Sequence, residues 1–511
     1  MKRVAWLLLS AVLLGSPSIG QATHQHSGES AAPPKSDQLG EIDFPNTGKP
    51  EAQADFIRGV KLLHNFQYEG AIEAFKAAQK ADPEFALAYW GEAMSHNYSL
   101  WSEQQYDEAR KALAKLAPTP AERAAKAKTP REQAYLAAVE TLYGEGTKFE
   151  RDVAFADKMD ALAKAYPDDI EAQAFDALAT LGRSHGTRDT ANYEKAGAML
   201  VPLFARYPNH PGIVHYIIHS YDDPDHAARG LAAAKVYDKL APDSAHAQHM
   251  TSHIFLALGM WPDVERANIQ ARSAVERGAG KPIPTMACGH GGIWLVYARL
   301  QQGLPVENNL TECRNATASA IASGDTPVTL VGSGEGFSGS LADMTVRQGI
   351  ETGKWDPAPS LPDGKLNYAR FIFAYGDVLA SRSVPARAAE ALGRMKAAHA
   401  ILTSNYRKDY PDDDQTMPWV DLILAQAEAV NLLAAGRRSD GLAALEDVAK
   451  RESAMPSAFG PPFMLKPTWE LLGDERLAAG DKSGAAAAYQ ASLKLQPGRR
   501  LSLAGLSKAG K

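Results

Sequence analysis

The stretch ADFIRGVKLLHNFQYEGAIEAFKAAQKADPEFALAYWGEAM, residues 54–94, places apolar and small residues three and four positions apart in two successive runs. That period gives each run a single apolar stripe and predicts two helices folded against one another. Gly59 and Ala71 let the two backbones approach, Phe75 fills the adjoining layer, and Pro83 closes the second helix. Near the other end, LLGDERLAAGDKSGAAAAYQASLKLQPGR repeats the order with Gly473, Ala485, Tyr489 and Pro497. There Ser492 stands where the first copy has Ala78.

The small, large, small, aromatic, small and terminating positions, here Gly59, Leu62, Ala71, Phe75, Ala78 and Pro83, are the offsets of a tetratricopeptide repeat. Between the two clear copies the pattern is less regular. Helical spacing covers roughly 105–117, 131–143, 151–165, 171–181 and 191–206, with Pro167 and Pro208 as stops. HPGIVHYIIHSY with DHAARGLAAAKVYDKL predicts one further hairpin, SAHAQHMTSHIFLALG with DVERANIQARSAVERG the next, and HGGIWLVYARLQQG opens another. The expected fold is all-α: tetratricopeptide-like helical hairpins forming a curved solenoid, with irregular central repeats. No sustained heptad supports a coiled coil.

Residues 325–365 break the helical period with TLVGSGEGFSGS and KWDPAPSLPDGK, which predicts a Gly/Pro-rich loop acting as linker or lid between repeats at 51–324 and 366–511. At the start, MKR, the apolar run VAWLLLSAVLLG and the small residues through Ala22 read as a signal peptide over 1–22, followed by a flexible tether over 23–50. A second apolar stretch long enough for a permanent membrane span is missing from the sequence. These features predict an exported protein of the bacterial periplasm.

The chain of 511 residues carries 54 Lys plus Arg against 60 Asp plus Glu, and 45% of it is apolar. A slightly acidic balance with no basic stripe argues against nucleic acid. Cys288 and Cys313 are the two cysteines. They suit a disulfide in an oxidising compartment, while the C-x-H of Cys288 and His290 offers a competing reading as metal-site residues.

The candidate chemistry lies in histidines. His215 and His219 are four residues apart, as are His249 and His253, so each pair emerges about 40° apart and roughly 6 Å along one helix. His246 falls within about 20° of His253 around the same axis, and His290 begins the next expected helix. Buried imidazoles without partners cost desolvation energy, and a transition metal offsets that cost. The metal candidates are therefore His215, His219, His246, His249, His253 and His290. Asp222 and Asp223 are candidates for ligands or for groups that orient the imidazoles; His210 and His226, near helix starts, read as caps or partners of acidic residues. His185 is a further candidate for the same groove.

The segments AYWGEAM (88–94), NHPGIVHYIIHSYD (209–222), APDSAHAQHMTSHIFLALGMW (241–261) and PPFMLKPTW (461–469) carry a resemblance over the whole mature chain. It is similar to a family of exported bacterial tetratricopeptide-repeat proteins, and the resemblance implies a helical repeat scaffold with a histidine-bearing centre.

Copper and zinc both suit imidazole donors. Two functional classes follow. One is a metal-containing repeat scaffold that binds an extended peptide, a protein or a small-molecule ligand in its concave groove. The other is a histidine-ligated metalloenzyme, either a zinc-dependent hydrolase or a dicopper oxidoreductase with two sets of three histidines. An HExxH motif, with its adjacent glutamate base, does not occur, and SGEGFSGS lacks the GxSxG elbow of a serine nucleophile.

Overall fold

A computed structural model describes residues 38–185, 188–324, 335–362, 365–409 and 416–510. The expected signal peptide and the first part of the tether, residues 23–37, lie outside the described residues. Antiparallel helical hairpins make up nearly all of the rest.

The chain opens with α1 (Pro50–His64), α2 (Tyr68–Ala81) and α3 (Ala86–Met94), the helices read from the repeat offsets. A Cβ on Gly59 would lie 2.8 Å from the Phe75 ring and one on Gly91 2.3 Å from it, so Phe75 is clamped between two glycine-bearing helices. Then follow α4 (Tyr106–Leu116), α5 (Pro120–Lys126), α6 (Pro130–Leu142), α7 (Lys148–Ala165), α8 (Ile170–Gly182) and α9 (Thr190–Arg206). The central hairpins are α10 (Pro211–Tyr221) with α11 (Ala227–Leu240), and α12 (Ala245–Ala257) with α13 (Trp261–Ala279). They lead into α14 (Gly289–Gln301), α15 (Glu307–Ser323) and α16 (Phe337–Thr352). The last third comprises α17 (Asn367–Ala380), α18 (Pro385–Asp409), α19 (Thr416–Ala434), α20 (Arg438–Ala454), α21 (Thr468–Ala478), α22 (Lys482–Leu495) and α23 (Arg500–Ala509). The final hairpin reproduces the first: a Cβ on Gly473 would lie 2.8 Å from the Tyr489 ring.

Two expectations are corrected. Within the loop expected over 325–365, residues 337–352 form α16, nearly all of it buried, and 325–334 lie outside the described residues. The Gly and Ser residues there are the small residues of a helix packed on several sides: a Cβ on Gly349 would lie 2.2 Å from Trp355. Likewise, residues 38–49 of the expected tether are packed down. Leu39 and Phe44 are buried, Glu41 N–H donates to Asn209 O at 2.9 Å, and the Phe44 ring sits 5.4 Å from Phe56 and 5.2 Å from Tyr135. Leu39, Ile42 and Phe44 pack on the core, and Thr47 and Pro45 bond to Glu132 and Arg131, which together anchor this mostly polar run.

Apolar packing is organised in two large cores that meet at α14, whose Trp294, Tyr297 and Ala298 face the first and whose Val296 and Leu300 face the second. Cys288 and Cys313 are joined in a disulfide, tying the start of α14 to α15; this settles the competing metal reading for Cys288. The C-terminal hairpin folds back onto this wall. Fully buried Arg499 pairs with Glu470 at 2.8 Å and with Glu351 at 2.8 Å, and reaches the Tyr297 hydroxyl at 3.3 Å. Trp261 Nε1 donates to Gly498 O at 2.9 Å. A buried cation matched by two carboxylates holds one geometry, because losing either partner strands a charge. The closure leaves a cleft between α12–α14 and the segment 455–467 that joins α20 to α21.

Candidate metal centre

His210 starts the site. It is the N-cap of α10 and its Nδ1 accepts from Ile213 N–H at 3.2 Å, so the helix begins in a defined register with Pro211 at its first position. Ser244 does the same for α12 by accepting from Ala247 N–H. α10 then presents His215 and His219 one turn apart, α12 presents His246, His249 and His253, and α14 presents His290 at its first turn.

All six expected histidines come together, divided three and three. One ring nitrogen from each of His215, His219 and His246 lies within 4.8 Å of the others, and the same holds for His249, His253 and His290. The division differs from the pairing suggested by angular position. His246 and His253 share a face of α12, but seven residues are about 10.5 Å of rise, enough to assign them to separate groups. The groups adjoin through His219 and His253, whose ring centroids are 6.2 Å apart.

Proton bookkeeping distinguishes these groups from ordinary hydrogen-bonded histidines. His215 Nδ1 lies 2.7 Å from the His64 carbonyl oxygen, which can only accept, so Nδ1 carries the proton. Burial, followed by neighbouring His246, drives the His215 pKa well below its ordinary value. Its Nε2 is therefore a lone-pair nitrogen, and it faces two further Nε2 atoms, of His219 and His246, each at 3.1 Å. One in-plane lone pair receives one well-directed proton, not two. A cation at the centre receives all three lone pairs, and ligand nitrogens at about 2.0–2.1 Å from a metal stand roughly 3.3–3.6 Å apart, close to what is seen.

In the second group His249 Nδ1 donates to Asn268 Oδ1 at 2.7 Å, and Asn268 Nδ2 donates to Val264 O at 2.9 Å, which fixes the amide with its oxygen towards the imidazole. His249 Nε2 then faces His290 Nε2 at 2.9 Å. His253 Nδ1 lies 3.0 Å from Asp222 Oδ2, and the same carboxylate is held by Arg188. Carboxylates, amides and carbonyls on the far nitrogen are the partners that orient imidazole ligands. Asp222 was a sequence candidate; Asn268, two turns away in α13, was not, and its mid-helix position gave no signal.

An aromatic ring covers each group. Phe66, at φ +54° in the turn between α1 and α2, lies 4.3, 5.8 and 5.5 Å from the His215, His219 and His246 rings. A phenylalanine in the left-handed region is strained, and such strain persists where packing over-determines it. Trp294 lies 4.8, 4.6 and 5.5 Å from His249, His253 and His290. His290 alone among the six is only half-buried.

A third gathering, His64, Glu171 and His210, was not read from the sequence and behaves differently. His64 Nε2 and His210 Nε2 lie 2.7 and 3.0 Å from the two Glu171 oxygens, and His64 Nδ1 lies 2.9 Å from the Tyr216 hydroxyl. Each nitrogen has a partner of opposite character. Against its complete burial, His210 and His64 hold the Glu171 carboxyl down at about 2, so the carboxylate accepts from both rings. This network is complete without a metal and supports the His64 carbonyl beneath His215. His226 contacts Asp223 at 2.8 Å, as expected of it, and His185 stands away from the six, 3.1 Å from Asp152.

No family model matches the chain. Nor does any curated protein match it. Among solved structures, the APC/C hetero-tetramer Cut9–Hcn1 is similar over 93% of this chain and 79% of its own, at 11% identity and a TM-score of 0.34. Naa15/Naa10 bound to HypK-THB covers 86% of this chain and 63% of its own, with 11% identity and a TM-score of 0.22. The P58(IPK) TPR domain covers 90% and 97%, with 13% identity and a TM-score of 0.20.

Proposed function

We propose that this chain is an exported, helical-repeat oxidoreductase in which two copper ions, one per trihistidine group, react with dioxygen. The observation that carries this reading is the donor set: six imidazoles in two adjoining groups, with no carboxylate in either among the described residues. Two divalent ions there would place four positive charges in a buried space against neutral ligands, and the Asp222 carboxylate behind His253 shares Arg188 with Asp223. Two Cu(I) ions halve that charge, and three imidazole nitrogens are a sufficient set for Cu(I). Zinc hydrolysis is less well supported because neither group includes a glutamate or aspartate to serve as general base.

His215, His219 and His246 would hold one copper ion and His249, His253 and His290 the other, and the pair would supply two-electron transfer to dioxygen, with the overall balance SH₂ + O₂ giving S + H₂O₂. The test is loading of metal-free protein with Cu(I) under anaerobic conditions, then addition of oxygen. Retention of two copper ions per chain with an oxygen-dependent absorption change supports the proposal. Retention of zinc in preference to copper, or copper that gives no optical response to oxygen, refutes it.

A further inference from the structure

The cleft created by the closure of the C-terminal hairpin has a specific chemical character. His253 of the second trihistidine group forms part of its wall. Trp294, which covers that group, lines the cleft as well. The lining also includes Trp419 and Phe463, stacked with centroids 5.3 Å apart, and Phe459 from the connecting segment. Phe459 is held in place by Arg188, whose guanidinium lies 4.4 Å from the ring centre, and Gly460 packs directly on Trp294. Arg188 thus couples the aromatic wall to Asp222 and, through it, to His253.

Among the described residues no lysine or arginine lines the cleft, whereas Glu452 does; Asp222 also borders it, with its carboxylate fully buried against Arg188 and His253. Glu452 accepts from Thr468 N–H at 2.9 Å, and burial raises its carboxyl to about 7. It can accept a proton from a ligand hydroxyl or return one near neutral pH. Flat aromatic walls favour a ring in offset or edge-on contact.

We propose that this cleft binds a neutral aromatic diol of the catechol class, its ring among Trp294, Trp419 and Phe459 and a hydroxyl at Glu452, as the two-electron donor to the adjoining metal centre. The proposal rests on the two-copper reading for its chemistry but not for binding. In the reaction the diol loses two hydrogens to become the quinone and dioxygen gains them as hydrogen peroxide, so atoms and electrons balance.

Binding is tested on the metal-free, full-length protein without oxygen. Catechol, cyclohexane-1,2-diol and phenyltrimethylammonium are titrated separately and followed by calorimetry and tryptophan fluorescence. Saturable binding of catechol, with at least a tenfold preference over both other probes, is expected. Trp419→Ala and Phe459→Ala should each weaken it about tenfold, the isosteric Glu452→Gln should weaken it without loss of fold, and Phe149→Ala, on a remote exposed position, should leave it unchanged. Absence of catechol binding overturns the proposal, as does binding unaffected by all three cleft variants. Tighter binding of the ammonium would make the cleft a cation site instead. Copper-loaded protein in air should then form quinone and hydrogen peroxide in a one-to-one ratio. Catechol binding without turnover would refute the copper chemistry and the donor role while leaving the cleft as a binding site; oxygen reactivity without catechol binding would do the reverse.

Discussion

The Nε2 atoms of His215 and His246 stand 3.1 Å apart although they are 31 positions apart in the chain with the whole of α11 between them. Neither ring reaches the other unless α10 and α12 pack side by side, and with the His215 proton committed to the His64 carbonyl, the contact sets lone pairs towards a shared centre.

The division into two groups is testable by metal stoichiometry. Protein purified without an affinity tag should hold two copper ions per chain by elemental analysis. His215→Ala should retain one ion, His249→Ala should retain one, and the double variant none. Arg110→Ala, on an exposed face of α4, should retain both. Loss of both ions in either single variant would mean one shared site.

Asn268 should tune the second ion alone. Asn268→Leu removes the acceptor that orients His249 and should weaken retention of one copper about 10- to 100-fold, the usual range for such supporting groups. Asn268→Asp keeps an acceptor and should restore most of it. Competition with a chelator of known affinity measures both; equal weakening of the two ions would contradict the assignment.

Gly91→Ala should destabilise the packing of α3 on the first hairpin by about 1–3 kcal/mol, since the added methyl would lie 2.3 Å from the Phe75 ring. Combining it with Phe75→Leu should recover part of the loss, because the two positions share one space. Denaturant unfolding of the four proteins in the cycle reads the coupling, and strict additivity would show that the clash relaxes elsewhere.

Glu335 gives a pH signature. Its carboxyl is buried and accepts from Tyr368 and Ala369 N–H at 2.8 and 2.7 Å, yet burial outweighs those bonds and raises it from 4.5 to about 8. The folded state therefore binds this proton more tightly than the unfolded state. Its stability contribution is fully present below about pH 4.5 and is lost as pH rises towards 8. Glu335→Gln should leave stability near pH 4.5 little changed and raise it relative to wild type above pH 8. Melting curves at the two pH values check this, and parallel curves would show that the group titrates normally.

How much of this was legible beforehand can be argued from single positions. Gly59, Ala71 and Phe75 predicted their hairpin because helix period and close approach are local properties, written within some 30 residues of chain. The i,i+4 pairs His215/His219 and His249/His253 predicted a metal face for the same reason. Ser338, Gly339 and Ser340 misled, since small residues that signal a loop in isolation also suit a helix enclosed on several sides, and only the neighbours of α16 distinguish the two.

The sequence by itself determined the helices, their pairing into hairpins and the two i,i+4 histidine pairs, because each depends on residues close in the chain. Tertiary structure decided the rest. The rise along α12 separates His246 from His253, and side-by-side packing of α10, α12 and α14 sorts the rings into two adjoining groups of three. Arg499, buried against Glu470 and Glu351, brings the last hairpin back over α14 and so creates a cleft that no local pattern encodes. Contacts across some 200 residues depend on how every intervening hairpin stacks, and that sum is settled only when the whole chain has packed.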